Sequence, residues 1–186
     1  MKADFEQENH LRTLGRVTKS KGRLLLDKPG RIRAEYIAPE KQLVVSNGKR
    51  FWIYTTRLNQ VIVGEVKGDG SGSVPLLFLA GKGNLSREFQ VELVEEGTAR
   101  REGGAWVSGQ PHRLSLKPLH SLAGFRQMWL EVDPESYRIT GLEYIDNFGN
   151  KTRIRFLNME EGTLLSPGLF EFEIPSGVEV LKTPSQ

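Results

Sequence analysis

Residues 22–60 read GRLLLDKPGRIRAEYIAPEKQLVVSNGKRFWIYTTRLNQ, and the fold can be argued outward from this stretch. It holds three or four apolar-rich β runs, separated by turn residues at Lys28-Pro29-Gly30, Ala38-Pro39 and Asn47-Gly48. Asn-Gly between two apolar runs predicts a tight hairpin, because a type I′ turn needs positive φ at both central residues. With Asn47 and Gly48 as the loop, Ser46 is expected opposite Lys49, Val45 opposite Arg50, Val44 opposite Phe51 and Leu43 opposite Trp52. Strand alternation then puts Leu43, Val45, Trp52 and Tyr54 on one face and Val44, Phe51 and Ile53 on the other. Both faces are apolar, so something must cover each: a second sheet, helices or a ligand. The run Arg31–Tyr36 alternates more cleanly, with Ile32, Ala34 and Tyr36 on one side and Arg31, Arg33 and Glu35 on the other.

The same rhythm of short β runs continues on both sides. Strands are expected at about 23–27, 31–36, 42–46, 50–54 and 60–65, then at 89–94, 112–117, 125–132, 138–145, 152–158 and 169–174. Asp133-Pro134 and Asn147-Phe148-Gly149-Asn150 supply turn chemistry between neighbours. Residues 3–14 suggest one or two helical turns, 15–22 a polar loop or strand start, and 95–109 a loop or frayed hairpin. The Gly/Ser-rich segment KGDGSGS at 67–73 interrupts the rhythm. After it, Pro75 at a first helical position and Gly81 as a stop predict a short helix over 74–81 that is apolar almost all round. A helix of that composition must be buried, either as core filling the mouth of the sheet or as a lid over a cavity.

At 186 residues the chain is read as a single domain, 1–186, able to bury a core without disulfides, and it contains no cysteine. It has no apolar run of membrane-spanning length, and its first ten residues, MKADFEQENH, lack the apolar core of a secretory signal. The formal charge of +3 comes from basic residues interleaved with acids, which argues against nucleic acid as a partner. Chemistry-bearing constellations are missing too. His10, His112 and His120 have no metal-ligand spacing, and no nucleophile elbow, phosphate loop or zinc-binding helix motif occurs. Neither an enzyme nor a cofactor is expected.

The order of several short pieces resembles the periplasmic outer-membrane lipoprotein carrier family, LolA. They are Phe5-x-Gln7, Gly22, Pro29-Gly30-Arg31-Ile32-Arg33, Pro39, Ser46-Asn47-Gly48, Trp52-Ile53-Tyr54, Gln60 and Pro75 through Ala80. The series continues with Leu116-Lys117-Pro118, Asp146-x-x-Gly149-Asn150-x-Thr152, Phe156 and Phe170-x-Phe172-x-x-Pro175-x-Gly177-Val178.

The resemblance implies a mainly β fold: an unclosed antiparallel β-barrel, or half-barrel, of about ten or eleven strands with a helical lid over its concave face. It also implies a periplasmic, non-enzymatic, monomeric carrier. Its ligand is the acyl chains of lipoproteins, received from an inner-membrane lipoprotein-releasing transporter and moved to the outer membrane, with an outer-membrane acceptor left open. The family pattern places Ile32, Ala34 and Tyr36 on the concave face and the lid at Leu76 and Leu79. Of the two hairpin faces, that of Val45, Trp52 and Tyr54 is assigned to the concavity because it carries the larger aromatics. Where relatives hold an arginine that latches the lid, this chain has Lys28, which keeps the charge but not the planar fork of donors. The family carries a longer amphipathic helix ahead of the Phe-x-Gln motif, and bulky aromatics where Ile32 and Ala34 stand here. The same fold serving another lipid, a glycolipid or a sensor, or an interaction domain with a filled core, is the alternative.

Overall fold

The structure, a computed structural model, describes residues 1–27, 29–66, 85–95, 97, 99–102, 105–119 and 125–183. Fourteen strands occur among them, twelve in one sheet and two in a separate hairpin. Their ranges are β1 Lys2–Leu11, β2 Arg16–Asp27, β3 Arg31–Ala38, β4 Gln42–Asn47, β5 Arg50–Thr55, β6 Gln60–Glu65 and β7 Phe89–Glu95. The rest are β8 Ala99–Glu102, β9 Ala105–Ser108, β10 His112–Pro118, β11 Phe125–Val132, β12 Ile139–Asp146, β13 Lys151–Glu160 and β14 Glu179–Lys182. The sheet runs β14-β6-β5-β4-β3-β2-β1-β13-β12-β11-β10-β7, and β8 pairs only with β9. The fold is mainly β and its sheet is open: β14 and β7 form its two ends. The helices among the described residues are short, the four-residue α1 Leu85–Glu88 and two 3-10 turns at Thr56–Leu58 and Pro167–Phe170. The helix expected over 74–81 lies outside the described residues.

Four expectations are corrected. Residues 2–11 form a strand, not a helix: Ala3 and Phe5 are buried at a spacing of two, so alternation outweighs the helix-forming residues around them. Strand formation over 169–174 does not occur. Ser166 leads into the 3-10 turn Pro167–Phe170, where Pro167 has no amide hydrogen to give to a ladder. An additional strand, β14, pairs with β6 in parallel, so the sheet is not wholly antiparallel. The hairpin register also differs: Ser46 faces Phe51, Val45 faces Trp52, Val44 faces Ile53 and Leu43 faces Tyr54.

The register differs because Gly48 and Lys49, not Asn47 and Gly48, are the loop. Positive φ falls only on Gly48, at 86°, the first central position, as a type II′ turn requires. Asn47 contributes through its side chain, whose Oδ1 accepts from the amides of Lys49 at 3.0 Å and Arg50 at 2.9 Å. A shift of two residues in pairing leaves each side chain on its expected face.

The chain divides into two compact units, neither a continuous segment. The first comprises Met1–Phe5, Ser20–Gly83 and Asn158–Gln186; the second comprises Glu6–Lys19 and Asn84–Leu157.

Candidate functional site

In the first unit, the register assigns each side chain of β2–β6 to one of two faces. Leu24 pairs with Ala34, Leu26 with Ile32, Ala34 with Val44, Ile32 with Ser46, and Val44 with Ile53, so these residues share a face. Leu24, Ile32, Ala34, Val44 and Phe51 on it are buried, and Tyr36 meets the ring of Phe5 edge-on at 4.9 Å. Gly22 opposite Tyr36 permits this approach: a Cβ there would lie 2.7 Å from the Phe5 ring and against the Glu35 carbonyl. Buried beneath the turn is Ser46, whose hydroxyl donates to the Gly30 carbonyl at 2.9 Å and accepts from the Gly48 amide at 3.1 Å.

The opposite face carries Val45, Trp52 and Val61, with Leu43, Tyr54, Val63, Phe172 and Val178 packed around them. The C-terminal segment therefore covers this side. Phe170 is fully buried with the Arg31 guanidinium over its ring, and Tyr54 and Phe172 lie 5.7 Å apart. Polar ties hold the segment down: Arg33 Nη1 donates to the Leu169 carbonyl at 3.3 Å, Asn47 Nδ2 to the Glu171 carboxylate, and Asn59 Nδ2 to the Gly177 carbonyl at 2.8 Å.

The residues expected to line one cavity are thus separated. Ile32, Ala34 and Tyr36 stand on one face; Val45, Trp52 and Tyr54 stand on the other, against the chain's own Phe172 and Val178. The two sets therefore cannot line the same face of the sheet, and the hairpin aromatics pack against the C-terminal segment. The signal that finds the covered face is Phe170-x-Phe172, two apolar residues followed by Pro175 and Gly177, which reads as a strand from sequence but runs as a strap. Lys28, Leu76 and Leu79 lie outside the described residues.

The second unit has its own division into faces. Leu114, Leu130, Leu142 and Ile154 pair in succession, as do Leu116, Met128, Tyr144 and Thr152, giving one apolar face. Burial pushes the Tyr144 phenol above its ordinary value, against a lowering hydrogen bond with Thr152. The reverse face is charged. Glu143 takes Arg113 Nη2 at 3.0 Å and Lys151 Nζ at 2.9 Å, Arg153 pairs with Glu131, and Arg113 lies over the Trp129 ring. His112 stacks on Tyr137 and its Nδ1 accepts from the Gly97 amide, His10 sits on β1, and His120 lies outside the described residues. Among the described residues no group of three His, Cys, Asp or Glu side chains is arranged to hold a metal ion.

The model of the family described as "Outer membrane lipoprotein carrier protein LolA" matches residues 1–173. The chain belongs to the LolA family. The outer-membrane lipoprotein carrier protein of Methylococcus capsulatus is 36% identical over 183 residues, spanning 98% of this chain and 81% of its own. That of Dechloromonas aromatica is 32% identical over 181 residues, spanning 97% and 80%. A crystal structure of an uncharacterized conserved protein from Thermus thermophilus is similar in fold, with a TM-score of 0.52 at 14% identity over 97% of this chain and 90% of that one.

Proposed function

We propose that this LolA-family chain is a periplasmic carrier that shields the acyl chains of lipoproteins between the inner and outer membranes. The observation that carries this reading is the family match across residues 1–173, together with relatives named as outer-membrane lipoprotein carrier proteins. The physical need is plain. Each methylene exposed to water costs about 0.8 kcal/mol, so one long acyl chain costs on the order of 10 kcal/mol and cannot cross an aqueous space unprotected.

The face of Leu24, Ile32, Ala34, Val44 and Ile53 offers an apolar lining for such a chain. On this reading the sheet curves as an unclosed half-barrel, with Leu76 and Leu79 on a lid over Ile32, Ala34 and Tyr36, and Lys28 as its latch. Cargo binds only the open form, so lid closure favours release. An inner-membrane transporter would load the protein, which acts as a monomer by binding and not by catalysis.

The test is a titration of the folded protein with a fluorescent fatty-acyl probe, followed by competition with a triacylated lipopeptide. Saturable binding displaced by the lipopeptide is expected. Absence of binding to the folded protein would overturn the carrier reading.

A further inference from the structure

The second unit presents at one end a feature that acyl carriage does not use. Two turns meet there: Arg12–Gly15 between β1 and β2, and Asn147–Asn150 between β12 and β13. They are joined, since the Arg12 amide donates to Asn150 Oδ1 at 3.1 Å. Gly149, at φ 83°, leaves room for the Arg12 side chain, which a Cβ there would meet at 3.0 Å. Between the turns lies an open cavity of about 370 Å³, lined by His10, Arg12, Arg16, Val17, Gly149 and Lys151 among others.

The charges at this end are unequal. Arg12 and Arg16 have no carboxylate partner among the described residues, while the nearby acids are occupied. Glu8 takes Lys19 Nζ at 2.6 Å, and Glu143 takes Lys151. Asp146 is turned into its own loop, where Oδ1 accepts from the amides of Phe148 and Asn150 at 2.8 Å and Oδ2 from Asn150 Nδ2.

Beside these cations stand large apolar side chains in water. Leu14 is 72% exposed at the tip of one turn and Phe148 is 80% exposed at the tip of the other, with Val17 half-exposed on the adjoining strand. The Asp146 bonds hold the Phe148 turn in shape, so that ring is presented by a fixed loop. A scattered exposed apolar residue needs no explanation, but two on linked turns, flanking unpaired arginines, form one amphipathic surface. Unpaired arginines and bulky apolar tips on the same linked turns match a bilayer interface: guanidinium groups suit lipid phosphates, and apolar tips suit the acyl boundary.

We propose that this paired-turn end is a membrane-contact site that docks the protein on a bilayer bearing anionic phospholipid, through Arg12, Arg16, Leu14 and Phe148. The proposal goes beyond the carrier reading and does not depend on it, because the surface lies outside the acyl lining assigned above. It supplies what a soluble binder of lipid-bearing cargo lacks, a means of remaining at a membrane surface long enough for exchange.

Because the chain has no cysteine, a single one can be introduced and labelled without ambiguity. The 186-residue chain carrying Phe148→Cys, labelled with a polarity-sensitive fluorophore, is mixed with phosphatidylethanolamine vesicles with and without phosphatidylglycerol. The control is Glu135→Cys, in the turn at the other end of β12. Emission at position 148 should rise and shift to the blue with phosphatidylglycerol vesicles, fall with added salt, and stay unchanged at position 135.

In the same assay Arg12→Glu with Arg16→Glu should weaken vesicle affinity at least about tenfold, since each cation near an anionic surface is worth roughly fivefold. Leu14→Ser should weaken it further while circular dichroism stays unchanged. Equal responses at both labels, no response at either, or affinity indifferent to the two arginines would each overturn the proposal. The vesicles contain no lipopeptide, so these outcomes are independent of the acyl-probe titration.

Discussion

Ser46 shows how much one hydroxyl can settle. It is fully buried, it ties the Gly30 carbonyl to the Gly48 amide, and it thereby links two successive turns. Ser46→Ala strands both groups and should cost about 1–3 kcal/mol, read as a lower urea midpoint with unchanged slope. A loss below about 0.5 kcal/mol would mean that the turns do not rely on it. The residue-level reading of Asn47 was half legible in the sequence: a hairpin was visible, but the dipeptide does not reveal whether asparagine contributes its backbone or its side chain. The side chain accepts the turn's two amide hydrogen bonds, which moves the loop by one residue. Under the carrier proposal Lys28 has its own test. Lys28→Leu removes the latch charge, loosens the lid and slows cargo release; a release rate equal to the parent's would leave Lys28 as a turn residue.

At the scale of elements, periodicity identified β2 through β6 and β10 through β13 because the apolar residues alternate where a face is buried. It failed at the strap, where Leu169–Ile174 also alternate. Alternation reports which side chains face inward, and an extended segment lying on a sheet alternates as well as one hydrogen-bonded within it. Pro167 was the available warning. Phe170→Ala should cost about 3–5 kcal/mol in denaturant unfolding, because a fully buried ring is removed from beneath Arg31. A loss near 1 kcal/mol would mean that the strap collapses onto the gap. For the lid, replacing Leu76 and Leu79 together by aspartate should abolish acyl-probe binding with far-ultraviolet dichroism retained; preserved binding would remove the lid from the proposal.

For the whole molecule, composition and motif order pointed to an open mainly β protein of the LolA family, and the match over residues 1–173 agrees. The lining was less legible, because both hairpin faces are apolar and nothing in local sequence says which one the chain itself will cover. The register now gives a discriminating pair. Ile32→Ala should change acyl-probe affinity several-fold, whereas Phe172→Leu, on the strap side, should lower stability by about 1 kcal/mol and leave affinity alone. The reverse outcome would place the lining on the strap side. The pairing of β14 with β6 has a further consequence for how the chain is made. Val61 meets Val180 across the parallel ladder, with the larger segment of the second unit, 84–157, encoded between them. During synthesis β6 therefore waits as a bare edge until residues 179–182 have emerged, and it is in that interval, before its partner arrives, that the nascent protein most needs protection from pairing with its neighbours.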